Sequence, residues 1–139
     1  NGYGVYLYSS PNNNIISNTI STSGQDGYGI YSYLSSENNI VLNTFYSNSV
    51  GIYLNEGSNN NLLTSNVIYS NRAGISSSHL GYNILYNVIT SNTIYSNGTG
   101  VVLSPFSVYN LLTSNTMPSI SLWSYSTNNI AINVFIDIF

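Results

Sequence analysis

Apolar and polar residues alternate over short stretches of this chain, and each stretch ends at Asn, Gly or Ser. Alternation with a period of two residues predicts β-strands, because successive side chains of a strand point to opposite faces of the sheet. The stretches are rich in Ile, Val, Tyr and Thr and contain few Glu, Lys or Ala residues, a composition that favours strands over helices. The pattern therefore predicts many short strands.

These stretches belong to one repeat of about 23 residues that occurs six times. The second half of the repeat follows the pattern Asn-x-(Ile/Leu)-x-x-Asn-x-(Ile/Phe/Met), and its copies begin at Asn13, Asn38, Asn61, Asn87, Asn110 and Asn128. The first half begins with Gly in most copies and continues with alternating residues, as in Gly4-Val5-Tyr6-Leu7 and Gly51-Ile52-Tyr53-Leu54. A fixed period of this size is typical of solenoid proteins, in which each repeat packs against its neighbours.

The repeat predicts an all-β fold, a right-handed single-stranded parallel β-helix of about six coils with about three short strands in each coil. Each strand would pair with its counterpart one repeat later, and parallel crossovers are almost always right-handed. A hairpin fold would need two-residue turns of the Asn-Gly type, whereas Asn recurs alone at a fixed position here. We expect residues 1–139 to form a single β-helix domain, either part of a longer chain or a subunit that stacks end to end.

An Asn separates the two apolar positions in every copy of the repeat. Asn tolerates a left-handed backbone at such a corner, and its amide can donate and accept hydrogen bonds at once. At the strand spacing of about 4.8 Å, successive amides can form a ladder along the axis. We therefore predict a structural ladder formed by Asn18, Asn43, Asn66, Asn92, Asn115 and Asn133.

Charged residues are scarce, and their scarcity excludes several functions. They make up 4% of the chain, the formal net charge is −3, and Arg72 is the only Lys or Arg. Nucleic acid is excluded as a partner because neutralising phosphates requires clustered Lys and Arg. The chain has no Cys and a single His, His79, so we expect no cofactor and no thiolate metal site. No apolar run approaches the ~18 residues of a membrane-spanning helix, and we expect no membrane span.

The segment from Gly51 to Asn71 resembles the parallel β-helix repeat of NosD-like proteins and of the carbohydrate-binding and sugar-hydrolase group. The resemblance runs from Gly4 to about Phe135. It implies the β-helix fold. It implies little about activity, because this scaffold carries lyases, hydrolases, adhesins and surface-layer components.

The residues that the resemblance implies for catalysis or metal delivery are missing. Polygalacturonase-like members use clustered Asp residues, and pectate-lyase-like members use several carboxylates and an Arg or Lys base. Glu37 and Glu56 lie at different positions of their repeats, whereas glycoside hydrolysis needs two carboxylates at a defined separation. Copper handling, which NosD-like proteins suggest, needs soft ligands, but Met117 falls on a core position and His79 stands alone in a corner. We expect neither catalysis nor a metal site.

Tyrosines recur at two outward positions, where cross-strand stacking would form stripes. The first stripe contains Tyr6, Tyr31 and Tyr53, and the second contains Tyr46, Tyr69 and Tyr95. Such stacking stabilises a sheet, and exposed aromatic rows can also contact sugar rings or form a lateral contact surface. Asn97-Gly98-Thr99 is the only Asn-x-Ser/Thr sequence, so Asn97 is the candidate N-glycosylation site of an exported chain.

These observations favour an extracellular or cell-surface structural and interaction module without catalysis. Its partners would be copies of itself, associated end to end in a filament or laterally through Tyr and Asn. The alternative is a carbohydrate-binding module that uses the first tyrosine stripe to hold a polysaccharide. A polysaccharide-degrading enzyme is a third interpretation.

Overall fold

The chain winds as a succession of short parallel strands. The computed structural model describes residues 2–22, 26–78 and 83–136, and within these ranges it has twenty strands, β1–β20, and no helix. Each strand pairs in parallel with its counterpart one coil later. The predicted parallel β-helix of about six coils is confirmed, with successive coils displaced along the sequence by 25, 23, 26, 23 and 19 residues.

Three six-stranded sheets run along the helix axis. The first sheet contains β1 (Tyr3–Tyr8), β4 (Tyr28–Tyr33), β7 (Val50–Asn55), β10 (Ala73–Ser78), β14 (Thr99–Leu103) and β18 (Ile120–Leu122). The second contains β2 (Asn14–Ile16), β5 (Asn39–Val41), β8 (Leu62–Thr64), β12 (Val88–Thr90), β16 (Leu111–Thr113) and β19 (Ile130–Ile132). The third contains β3 (Thr19–Ile20), β6 (Thr44–Tyr46), β9 (Val67–Tyr69), β13 (Thr93–Tyr95), β17 (Thr116–Met117) and β20 (Phe135–Ile136). A two-stranded sheet pairs β11 (Ile84–Leu85) with β15 (Ser107–Val108).

Inward side chains from the three sheets form one core. In the third coil, Ile52 of the first sheet, Leu63 of the second and Ile68 of the third are fully buried. The same positions of neighbouring coils carry buried apolar residues, so the core continues along the axis. Burying one such side chain contributes roughly 1.5–3 kcal/mol.

Buried Asn side chains connect the coils at three corners. The first ladder contains Asn13, Asn38, Asn61, Asn87, Asn110 and Asn129, the second contains Asn18, Asn43, Asn66, Asn92 and Asn115, and the third contains Asn48, Asn71 and Asn97. In each ladder, the backbone N–H and the side-chain amide of one Asn both donate to Oδ1 of the Asn in the next coil. Asn66 donates to Asn92 Oδ1 at 2.9 Å from both nitrogens. Its Nδ2 also donates to the Ile40 carbonyl oxygen, at 2.9 Å.

A residue with left-handed backbone precedes every ladder Asn. At the second corner, these residues include Ser17, Leu42 and Ser65, whose φ angles are 57°, 57° and 55°. The expectation that the ladder Asn itself takes this conformation is therefore wrong. The residue before it makes the turn, and the Asn that follows then directs its amide to the next coil.

The prediction that Asn133 joins the ladder is also wrong. Asn110 donates to Asn129, so the sixth copy is displaced by one residue from the predicted start at Asn128. Asn133 then falls on the left-handed corner position, with a φ of 50°, and is exposed. Val134 takes the place predicted for Asn133 and packs against the core. Asn suits both the left-handed position and the ladder position, so the sequence pattern alone was ambiguous here.

The Gly that opens the repeat allows neighbouring coils to approach closely. A Cβ atom on Gly51 would lie 2.7 Å from the carbonyl oxygen of Gly74, and one on Gly74 would lie 2.7 Å from that of Gly100. Cβ atoms do not normally come this close to a backbone oxygen. A larger residue at this position would therefore push the coils apart.

We expect Asn66→Ala to lower the free energy of unfolding by about 3 kcal/mol. Removing this amide leaves the Asn43 donors without their acceptor inside the core, and a buried unsatisfied group costs about 1–3 kcal/mol. Urea unfolding measures the change. Asn39→Ala is the control, because Asn39 is exposed and bonds only to exposed Asn14 through its side chain. An equal loss in both variants would contradict a special role for the ladder.

We expect Leu42→Asn to raise the free energy of unfolding by roughly 1 kcal/mol. Leu42 has a φ of 57° and is 59% exposed, and a left-handed conformation costs an ordinary residue roughly 1–2 kcal/mol that Asn partly avoids. Thermal and urea unfolding of the two proteins provide the comparison. Leu42→Val should be destabilising, because a β-branched residue tolerates this backbone least. A stabilising effect of Val would contradict the explanation.

Candidate functional site

The outer face of the first sheet carries three columns of side chains. In β4, Tyr28, Tyr31 and Tyr33 are only half-buried, whereas Gly29 and Ile30 are both buried. This inward pair interrupts the strict alternation and recurs in β7 and β10. The first column contains Tyr3, Tyr28, Val50, Ala73 and Thr99, the second contains Tyr6, Tyr31, Tyr53, Ser76, Val102 and Ser121, and the third contains Tyr8, Tyr33, Asn55 and Ser78.

Seven tyrosines in the first three coils form a continuous surface. This tyrosine face contains Tyr3, Tyr6, Tyr8, Tyr28, Tyr31, Tyr33 and Tyr53. The rings of Tyr8 and Tyr33 stack with centroids 5.4 Å apart and an angle of 10° between planes. The ring of Tyr31 lies 5.6 Å from that of Tyr6 and 5.3 Å from that of Tyr53. Tyr6 and Tyr8 are 52% and 58% exposed, so the face is open to a ligand.

Hydrogen bonds hold several phenol groups of this face in place. Asn55 Nδ2 donates to the Tyr31 hydroxyl oxygen at 2.7 Å. The Tyr33 hydroxyl donates to Glu56 Oε2 at 3.1 Å, and this bond, with the negative charge of Glu56, raises the pKa of Tyr33. These contacts limit ring rotation, so the face is ordered before any ligand binds.

Desolvation raises the pKa of three other tyrosines in this face, Tyr6, Tyr28 and Tyr53. The pKa of Tyr28 is raised by desolvation and then by the neighbouring Tyr53 and Tyr31. The pKa of Tyr53 is raised mainly by desolvation, and a hydrogen bond with Ser78 opposes part of the shift. The phenols of Tyr6, Tyr28, Tyr33 and Tyr53 are therefore neutral donors and acceptors at physiological pH.

Each of the two predicted stripes forms a row of neighbouring rings in the structure. Tyr6, Tyr31 and Tyr53 lie in one column of the first sheet. On the third sheet, Tyr69 stacks between Tyr46 and Tyr95 with centroid distances of 5.5 and 5.2 Å and angles of 10°. This second stripe is a single row of rings, whereas the first is part of a surface three columns wide.

Four tyrosines of the face were missed by the sequence analysis: Tyr3, Tyr8, Tyr28 and Tyr33. Strict alternation that starts from the repeat Gly would place the residue before the Gly on the inner face. Because the Gly and the residue after it both face inward, the residue before the Gly faces outward instead, as Tyr28 does. The signal was nevertheless present, because Tyr3 and Tyr28 occupy the same position in successive copies of the repeat, as do Tyr8 and Tyr33. Two more stacked pairs, Tyr86–Tyr109 and Phe106–Tyr125, lie at corners with left-handed backbone.

Glu37 and Glu56 lie at different places in their coils. Glu37 lies at the first corner, with a φ of 60°, whereas Glu56 follows β7 and contacts Tyr33. The described residues contain no group of three or more His, Cys, Asp or Glu side chains that could hold a metal ion. Met117 is fully buried in the core, and His79 lies outside the described residues. No helix in the described ranges is long and apolar enough to cross a membrane.

Asn97, the predicted glycosylation site, lies in the third ladder. Its Oδ1 accepts two hydrogen bonds from Asn71, at 2.8 and 3.0 Å. Its Nδ2 donates to the carbonyl oxygen of Ile68 at 2.9 Å. Nδ2 is the atom that would carry a glycan, and it points into the corner of the coil. The geometry therefore opposes glycosylation of Asn97 in the folded chain.

A comparison with known protein families agrees with the parallel β-helix fold. A family model described as a right handed β-helix region matches residues 1–136. The chain belongs to the right-handed β-helix family. Membership confirms the resemblance to β-helix repeat proteins and the handedness predicted from the repeat. Neither a curated protein nor a solved structure matches the chain. Because β-helices include both enzymes and non-enzymes, the function of this β-helix has to be argued from its surface.

We expect the β-helix to lose stability as the pH rises above about 10. Tyr28 and Tyr53 have a raised pKa in the folded chain, whereas unfolded tyrosines ionise near 10. The unfolded state therefore loses protons first, and stability falls from pH 10 until the folded groups have also ionised. Melting temperatures between pH 8 and 12 measure the loss, and absorbance at 295 nm follows ionisation. The fall should be smaller in Tyr53→Phe, and an equal fall would contradict this assignment.

Proposed function

We propose that this β-helix is a non-catalytic binding module that holds a polysaccharide against its tyrosine face. The observation that carries the proposal is the set of seven tyrosines packed side by side on the first sheet. Aromatic rings supply large apolar contact areas with a polar group at the edge. Sugar rings have matching properties, because their C–H groups line the faces and their hydroxyls lie at the rim.

The rigidity of the face supports this proposal. Tyrosine has only two side-chain torsions, so it loses little conformational entropy when it becomes a contact residue. Here the rings are also held by their neighbours and by Asn55 and Glu56. A surface that is ordered in advance needs less of the binding energy to order itself. At strand spacings of about 4.8 Å between coils and about 3.3 Å per residue, the face measures roughly 10 by 17 Å.

The positions of the carboxylates support a role without catalysis. Hydrolysis of a glycosidic bond uses two carboxylates on either side of the bond. Glu56 lies at the edge of the tyrosine face, but Glu37 lies at a corner of the second coil and Asp26 precedes the opposite ends of the strands. This arrangement supports binding of an intact chain. The low charge of the protein and its abundance of Tyr, Asn, Ser and Thr, a composition typical of exported surface proteins, support an extracellular or cell-surface location.

The second candidate is self-association, favoured by the polarity of the Asn ladders. In each rung the backbone N–H donates towards the following coil and Oδ1 accepts from the preceding coil. When two β-helices stack in the same direction, the donors at the last coil of one molecule would therefore face the acceptors at the first coil of the other. Negative-stain microscopy and size-exclusion chromatography over a concentration series test this candidate, because stacking predicts rods that lengthen with concentration.

We expect Tyr6→Ser and Tyr31→Ser each to weaken polysaccharide binding about tenfold, equivalent to about 1.4 kcal/mol. Serine is the residue that the fourth coil carries in the same column, at Ser76, so the substitution suits the sheet. Isothermal titration calorimetry with a panel of neutral and acidic oligosaccharides measures the affinity. Tyr69→Ser, which disrupts the stripe on the third sheet, is the matched control and should leave the affinity unchanged.

Two results would contradict the proposed function. One is the absence of binding to every oligosaccharide in the panel by the folded protein. The other is an equal loss of affinity in the Tyr69→Ser control, because it would show that binding does not depend on the tyrosine face. Circular dichroism of each variant confirms that the β-helix is intact.

A further inference from the structure

A groove lies beside the tyrosine face on the same sheet. Its volume is about 660 Å³, and its lining includes Tyr28, Ala73, Thr99 and Trp123. This volume falls within the range of about 300–1,000 Å³ that small-molecule sites occupy. The groove therefore has room for a ligand group that extends beyond the tyrosine rings.

The groove follows a change of side-chain size along the first column. This column changes from Tyr28 to Val50 and then to Ala73, and all three residues line the groove. The backbone of the sheet continues without a break, so the loss of side-chain volume leaves a hollow. Tyr28 stands on the side of the first coils and Trp123 on the side of the last.

The only Lys or Arg of the chain lines this groove. Arg72 lies at the corner before β10 and is exposed. No hydrogen bond or ion pair joins its side chain to another described residue. Glu56 follows the carboxyl end of β7, at the far end of the strands from Arg72, and Asp26 lies two coils away from it, a separation of roughly 10 Å at strand spacing. Salt screens such a separation at physiological ionic strength, so Arg72 is free to attract an anion.

The other groups of the groove suit a sugar. Trp123 is 60% exposed, and an exposed indole offers a large apolar face for a sugar ring. Ser49, Thr99 and Ser121 add hydroxyl groups to the lining. The guanidinium of Arg binds a carboxylate or a sulfate through two parallel hydrogen bonds. Neutral sugars would leave this group without a partner.

We infer that the groove binds an anionic sugar unit, carboxylate-bearing or sulfated, of the polysaccharide held by the tyrosine face, with Arg72 as its charge partner. This inference rests on the proposed function and deepens it, because it assigns the class of polysaccharide. The tyrosine face would provide affinity for any sugar chain. Arg72 would provide the preference for an acidic one.

The test uses three probes of equal length: a neutral hexasaccharide, a uronic-acid hexasaccharide and a sulfated hexasaccharide. Trp123 is the only Trp of the chain, so its fluorescence reports directly on the groove. We expect the acidic probes to change this fluorescence and to bind at least tenfold more tightly than the neutral probe. We expect Arg72→Gln to remove the preference and Arg72→Lys to keep part of it, and the two acidic probes show which anion fits better.

Asn39→Asp is the matched control, because it changes the net charge by the same amount at an exposed position of the second sheet. This variant should keep the preference for acidic probes. A general effect of net charge would instead reduce the preference in both variants. The inference is overturned, and the proposed function kept, if neutral and acidic probes bind equally, Trp123 does not respond and Tyr6→Ser still weakens binding. It is also overturned if Arg72→Gln keeps the full preference. Binding of none of the probes would overturn both.

Discussion

The stacking of buried Asn amides along the axis is the interaction on which the rest of this β-helix depends. Each amide in a ladder accepts two hydrogen bonds from one neighbouring coil and donates to the other. A buried amide without partners costs about 1–3 kcal/mol, so a coil cannot slip against its neighbour without losing several such bonds at once. Together with the apolar core, the ladders therefore fix the register of all three sheets, including their outer columns.

The tight corners that make this stacking possible require a left-handed residue before each Asn. At the second corner this residue is mostly Ser, but it is Leu42 in the second coil, and at the first corner it is Asn in three coils and Glu37, Tyr86 or Tyr109 in the others. Asn favours this conformation by itself, whereas at the Leu, Glu and Tyr positions the fold imposes it against local preference. The same corners hold the pair Tyr86 and Tyr109 at a centroid distance of 5.3 Å. Stacking of the rings offsets part of the backbone cost.

The fold could be predicted from the sequence because residues of one chemical type recur at each inward position of the repeat. The second ladder up to Asn115, the central tyrosine column and the apolar core all follow from residues that recur at one phase of the repeat. Asn133 could not be placed, because two neighbouring Asn residues in the last copy, Asn128 and Asn129, satisfy the pattern in different registers. The third ladder went unrecognised because Asn recurs at this position in only three coils, at Asn48, Asn71 and Asn97, and Thr22 takes its place in the first coil.

The candidate site was harder to predict because it depends on differences between repeats rather than on what they share. The groove lies where Tyr28 gives way to Val50 and Ala73 in the first column. The pattern common to all repeats includes the positions of these residues but does not include the change in side-chain size between them. Since the ladders and the core hold the register, such outward changes cost the fold little. In a solenoid of this kind, the residues along an outer column can change without a change of fold, and we expect a ligand to be recognised at the coil where the column changes.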